Sequence, residues 1–325
     1  MLLIPYKTDA PVYHRPVVTI IVIVINVLVH VMVKEPPPEA VYKAEWVSGE
    51  HRQLELTPLD PGEYGGLLAE ILKIPEEKFK IDPHDYDYLF VEQDDKLYAV
   101  KIDRSGGLAN KYNWMLTHGK GLYPSEWLTA NFAHIGWIHL IGNMIFLFTF
   151  SLVIEGKLGW WRYTLVFLLL GISQTAFEQI VMLPSLGTVS LGASGIVFGL
   201  IAMSLIWAPK NDVSVILWLI IAVTAFDISI RKLAIIYILI EILMFALADF
   251  SMSSAMLHLV GAVAGLVMAI VMLKKNWVDC EGWDYFSVRA GTNIKPLYGK
   301  EYLAVDNETD QEPVPDDDIV QPGGF

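Results

Sequence analysis

The sequence predicts an all-α polytopic membrane protein: a bundle of six transmembrane helices, with a small exoplasmic α+β insert between helices 1 and 2. Three observations predict it. Of the 325 residues, 54% are hydrophobic and 18% charged, against about 45–50% and about 25% in soluble domains. Apolar runs close to the roughly 20 residues that a bilayer-spanning helix needs recur at 17–33, 137–153, 163–181, 189–208, 233–247 and 254–273. Finally, Lys and Arg sit in every second short loop and are missing from the loops between, which puts both termini on one side and so needs an even number of spans. A mean hydropathy of +0.44 agrees. Together these exclude a soluble enzyme, a disordered chain and a repeat solenoid. Cys280 is the single cysteine, so a disulfide-stapled secreted domain is excluded too.

Residues 1–16 form a cytoplasmic N-terminus, with Lys7 and Arg15 ahead of the first span at 17–33. No small-x-small cleavage site follows that span, so it reads as uncleaved. Lys34-Glu35-Pro36-Pro37-Pro38 then stops the helix. Residues 34–123 are polar and carry a net charge of −6. Within them Tyr88-Leu-Phe-Val-Glu and Lys96-Leu-Tyr-Ala-Val-Lys-Ile alternate at period 2 around Gln93-Asp-Asp, which predicts a hairpin. Pro58, Pro61, Gly62, Gly65 and Gly66 mark turns before it. The charge and the aromatics Tyr86, Tyr88, Phe90 and Tyr98 suggest a recognition surface. No cluster there looks catalytic: His51 and His84 are isolated, and His118 lies in the return segment.

Residues 124–273 hold spans two to six. Lys157 and Arg162 separate spans two and three, Lys210 follows span four, and Lys274-Lys275 follows span six. The opposite short loops carry no Lys or Arg, which places both termini in the cytoplasm and residues 34–123 on the exoplasmic side. The apolar stretch 213–226 would reach only about 21 Å as a helix. Asp227, Arg231 and Lys232 then interrupt it, so it is assigned to the cytoplasmic interface, not to a seventh span. Residues 274–325 form an acidic cytoplasmic tail, net −6, whose end at 306–325 is expected to be disordered. The Asn307 sequon is irrelevant on that side. No basic patch suggests nucleic acid.

Polar groups within membrane spans are costly and are functional hypotheses by default. Span two carries His139 and Asn143 four residues apart on one helix face, just after His134. Span four opens Gly192-Ala193-Ser194-Gly195, and span six contains His258, Gly261 and Gly265. These three spans run from outside to inside, and each polar cluster falls in the first half of its span. The groups therefore share one depth on the exoplasmic side. Taken alone, Ser194 would bond its own preceding turn, and His258 would be an interhelical donor. Their convergence supports chemistry instead. Ser194 would be a nucleophile with His258 as general base. The Ser194 N–H at a helix start, His139 and the Asn143 amide would face an oxyanion. No acid is placed to orient His258, so a dyad is expected. His134 and His139 are about 140° out of phase on a helix and have no carboxylate or cysteine beside them, so no metal and no other cofactor is expected. Gly192, Gly195 and Gly199 on one span, and Gly261 and Gly265 on the other, supply small surfaces for close approach.

The pattern H-x4-H-x3-N, G-x-S-G and H-x2-G-x3-G, as His134/His139/Asn143, Gly192–Gly195 and His258/Gly261/Gly265, resembles the rhomboid intramembrane serine proteases. Glu155-Gly-Lys-Leu-Gly159 is similar to the E-x3-G after that family's second helix. The resemblance implies a six-helix core, a Ser194–His258 dyad, His139 and Asn143 at the oxyanion, and a supporting role for His134. It implies transmembrane proteins as substrates, met within membrane lipid, with span five and residues 249–253 as the entrance. Three features depart from the family. Ser125-Glu126-Trp127 replaces the usual Trp-Arg pair, Phe198 stands where many members carry Tyr, and the insert is large. The alternative function is a non-catalytic rhomboid-like binder of membrane helices. A transporter using Glu178, Asp227, Glu241 and Asp249 is disfavoured, because snorkelling explains acids near span ends.

Overall fold

A computed structural model describes residues 2–47, 53–59, 77–219, 222–249, 251 and 253–292. Among the described residues, six long helices build the body: α1 (Val17–Met32), α2 (Trp137–Leu158), α3 (Trp160–Val181), α4 (Ser194–Trp207), α5 (Ile230–Leu247) and α6 (Ser254–Lys274). Among the described residues, α2, α3 and α6 are long and apolar enough to cross a membrane, while α1 and α4 are shorter apolar helices. Helix α5 carries Arg231 and Lys232 in its first turn and Glu241 further along.

Helix α4 is the axis of the bundle. Every residue from Gly195 to Trp207 is buried except Phe198 and Leu205, as expected of a helix apolar all round. The predicted run 189–208 is only partly helical: Val189–Ser190 is a strand, and Gly192 turns the chain at φ +126 before Ser194 begins the helix. Helix α6 lies directly against α4. A Cβ on Gly261 would collide with the Gly195 carbonyl, and one on Gly265 with the Gly199 carbonyl. Trp207 Nε1 closes the far end by donating to the Ala269 carbonyl at 3.1 Å.

Helix α1 is fixed to α2 by one buried carboxylate. Glu155 accepts from the Val18 N–H and the Thr19 N–H, each at 2.8 Å, and from the Thr19 hydroxyl at 2.6 Å. These N–H groups belong to the first turn of α1, where no intrahelical acceptor exists and the dipole favours an anion. Gly159, at φ +74, then reverses the chain into α3.

The expectation of an all-α body needs correction. Strand β1 (Leu2–Thr8) occupies the N-terminus that sequence reading left without structure. It pairs antiparallel with β9 (Asp212–Leu219), which pairs in turn with β10 (Ala222–Ser229). The stretch assigned as an interfacial segment, 213–226, is therefore a hairpin, with residues 220–221 outside the described residues. Val213 and Val215 point into the core while Ser214 points out and donates to Asp227 at 2.6 Å. That period-2 pattern was hidden in a run of apolar β-branched residues.

The insert is a five-stranded sheet ordered β4-β3-β2-β6-β5, from β2 (Ala40–Trp46), β3 (Leu54–Pro58), β4 (Phe79–Ile81), β5 (Tyr88–Gln93) and β6 (Lys96–Lys101). The predicted hairpin is β5–β6, turning through Asp94 and Asp95, both at positive φ, as tight hairpins require. The proposed recognition surface is corrected in part: Tyr88 and Phe90 are buried in the sheet's core. Pro58 ends β3, whereas His51, Pro61, Gly62, Gly65 and Gly66 lie outside the described residues, as does the tail at 306–325 with Asn307.

The insert is tied to the chain just ahead of Ser194. Strand β7 (Leu116–Thr117) pairs with β8 (Val189–Ser190), and the Phe90 N–H donates to the Gly187 carbonyl at 2.6 Å. Beneath it, Glu126 in the single turn Glu126–Thr129 accepts from the Thr117 N–H at 2.8 Å and from the Tyr86 hydroxyl at 2.7 Å. Arg104 covers the Tyr86 ring, 3.9 Å from its centroid. Burial, then the Glu126 carboxylate, holds the Tyr86 phenol above its ordinary pKa.

Candidate active site

The first turns of α2, α4 and α6 open into one cavity of about 1150 Å³, lined among others by Ser194, His139, Asn143 and His258. Ser194 is the first residue of α4, with Ala193 as its N-cap. The unpaired N–H groups of that first turn and the positive dipole end lie at the same place. Gly192 makes the approach possible. Its N–H is held by the Ala130 carbonyl at 2.9 Å. A Cβ there would lie 3.0 Å from His139 Cε1 and 3.9 Å from Asn143 Nδ2. The bare glycine therefore keeps open the space where those two side chains converge. The Asn143 Nδ2 donor is buried and has no partner among the described residues, an arrangement suited to an incoming oxygen. Gly195, next to the serine, leaves room for the Gln174 amide of α3.

His258, in the second turn of α6, stacks on Phe198 with ring centroids 4.5 Å apart and planes 10° from parallel. Phe198 is one turn beyond Ser194 on α4, so the serine and the imidazole's stacking partner are fixed to each other. Ser194 and His258 share the cavity without a hydrogen bond between them. On the other side, Glu241 Oε2 of α5 lies 3.1 Å from His258 Nδ1. The oxygen sits within ion-pair distance but out of line with the ring N–H.

Three readings of the sequence change here. His134 is not on α2; it precedes Trp137, fully buried, with its ring edge-on to His139 at 5.1 Å. Helical phase therefore does not govern the two histidines, although among the described residues no cluster of three metal-ligating side chains forms. Glu178 and Glu241 do not snorkel: both face the cavity and both pair with histidines. His118, set aside as part of the return segment, is the partner of Glu178, with Nε2 at 3.1 Å from Oε1 and Nδ1 at 2.9 Å from the Thr188 hydroxyl. One signal for this second pair was readable. Gly171, Gln174, Thr175 and Glu178 form a buried stripe at helical spacing on α3, more polar than packing alone requires.

Residues 123–275 match the Rhomboid domain family. Two curated relatives match shorter stretches. Rhomboid-like protein 11, chloroplastic, from Arabidopsis thaliana is 38% identical over 81 residues, covering 25% of this chain and 28% of the relative. Rhomboid-type serine protease 2 from Emericella nidulans is 34% identical over 83 residues, covering 25% of this chain and 16% of the relative. The matched stretches thus span less than a third of either relative. The family match and the apolar helices identify an integral membrane protein.

Proposed function

From the Rhomboid domain at residues 123–275, we propose that the protein is an intramembrane serine protease that hydrolyses peptide bonds in or near the transmembrane segments of other proteins. The observation that carries this reading is the glycine-lined crossing of α4 and α6, which brings Ser194 and His258 to one cavity beside the unpartnered Asn143 amide. Ser194 Oγ attacks the carbonyl carbon while its proton passes to His258 Nε2. The oxygen of the tetrahedral intermediate lies against the Ser194 N–H, His139 and Asn143, where one donor is commonly worth about 10²–10³ in rate. His258 then returns the proton to the leaving amine, and water hydrolyses the acyl-enzyme by the reverse roles.

In this reading all six helices span the bilayer and both termini are cytoplasmic. The insert and the cavity share the exoplasmic side, in keeping with the β7–β8 pairing at the cavity rim. Membrane-impermeant thiol labelling of single cysteines placed in the insert and after α6 tests that arrangement. A fluorophosphonate probe tests the chemistry. It should label wild-type protein at Ser194 and leave Ser194→Ala unlabelled; equal labelling of the two contradicts the assignment. The absence of a Ser194–His258 hydrogen bond favours one other reading, a non-catalytic binder of membrane helices. A wild type inert to the probe that still captures transmembrane segments would support it.

A further inference from the structure

We propose that Glu241 is the positioning carboxylate of His258, so that the site works as a Ser194–His258–Glu241 constellation and not as a dyad. The proposal rests on the hydrolase reading above and deepens it. Leu233, Ala234 and Tyr237 form the buried stripe of α5, and Glu241 stands one turn beyond Tyr237 on the same face. Its flanking residues Ile240 and Ile242 are exposed, whereas its own side chain is only 15% exposed. An apolar residue would serve packing there, and a carboxylate within a membrane helix is costly unless it is paired. Among the described residues its one ion-pair partner is His258.

Glu241 addresses Nδ1, which favours the tautomer with the proton on Nδ1 and leaves Nε2 free as the base. When Ser194 gives its proton to Nε2, the imidazolium gains a carboxylate 3.1 Å from its other nitrogen. Such contacts often tighten when substrate binds.

The test compares fluorophosphonate labelling rates of wild type, Glu241→Gln and Glu241→Asp, with kcat and KM on a transmembrane substrate. In Glu241→Gln kcat should fall at least about tenfold with little change in KM, short of the ~10⁴ seen when a fully buried acid is neutralised. Glu241→Asp should recover part of that loss. A Gln variant with wild-type rate overturns the proposal, as does a loss that only tracks the loss of folded protein. Nitrogen NMR of histidine-labelled wild type needs no variant: a proton on Nδ1 of His258 is expected, and a proton on Nε2 alone overturns the proposal. A wild type inert to the probe overturns the hydrolase reading and this proposal with it. A reactive wild type beside an unaffected Gln variant overturns this proposal alone.

Discussion

The imidazole of His258 lies flat on the phenyl ring of Phe198, 4.5 Å between centroids and 10° from parallel. The stack ties the plane of the proposed base to the helix that carries the proposed nucleophile. Small misplacements of a reacting group can cost about 10² in rate. Phe198→Leu should therefore lower the Ser194 labelling rate about tenfold or more while the protein stays folded. Phe198→Tyr keeps the ring and should retain most of the rate. Labelling kinetics of the two variants, with thermal unfolding as a control, check this.

The α4–α6 crossing has no room for a methyl group. Gly261→Ala drives a Cβ into the Gly195 carbonyl, and overpacking of this kind costs about 1–3 kcal/mol. A lower unfolding midpoint and lost labelling are expected. Gly142→Ala is the control: a Cβ there meets nothing within 4 Å, so its unfolding midpoint should not fall.

Glu155 supplies three acceptor contacts to the start of α1. In Glu155→Gln an amide nitrogen would face backbone donors, leaving buried N–H groups unmatched at about 1–3 kcal/mol each. Unfolding should occur at lower temperature or denaturant, with α1 released first. Faster hydrogen exchange confined to residues 17–20 in the folded variant is the signature to measure.

Burial raises the Cys280 thiol to about 12, against a smaller opposing effect of Lys157. The reactive thiolate is therefore scarce throughout the physiological range. Native protein at pH 8 should resist iodoacetamide, whereas unfolded protein should be alkylated at once. The rate of Cys280 modification then reports unfolding near the end of α6.

Much of this molecule was legible in single segments. The β5–β6 hairpin follows from alternation around Asp94-Asp95, and the glycine spacing on two runs anticipates how closely α4 and α6 meet. Ser194, His139, Asn143 and His258 were singled out because each polar cluster sat in the first half of its run. What stayed hidden depends on partners distant in sequence. Nothing local tells Leu2–Thr8 that its neighbour is Asp212–Leu219, and both flanks of that pairing read as apolar or terminal. Glu241 looks like a stray charge until α5 is laid beside α6. His118 looks like a loop residue until β7 meets β8 and brings it to Glu178. The position of Glu155 was noted, but its task as the acceptor for α1 is set by packing alone.

The most direct test is cleavage in a bilayer. Purified protein is reconstituted into liposomes with a single-span substrate carrying helix-weakening Gly or Pro near its exoplasmic end, and the fragments are identified by mass. A cut within or beside that span is expected from wild type, and none from Ser194→Ala or His258→Ala. Cleavage by Ser194→Ala at the wild-type rate would contradict a serine protease centred on Ser194.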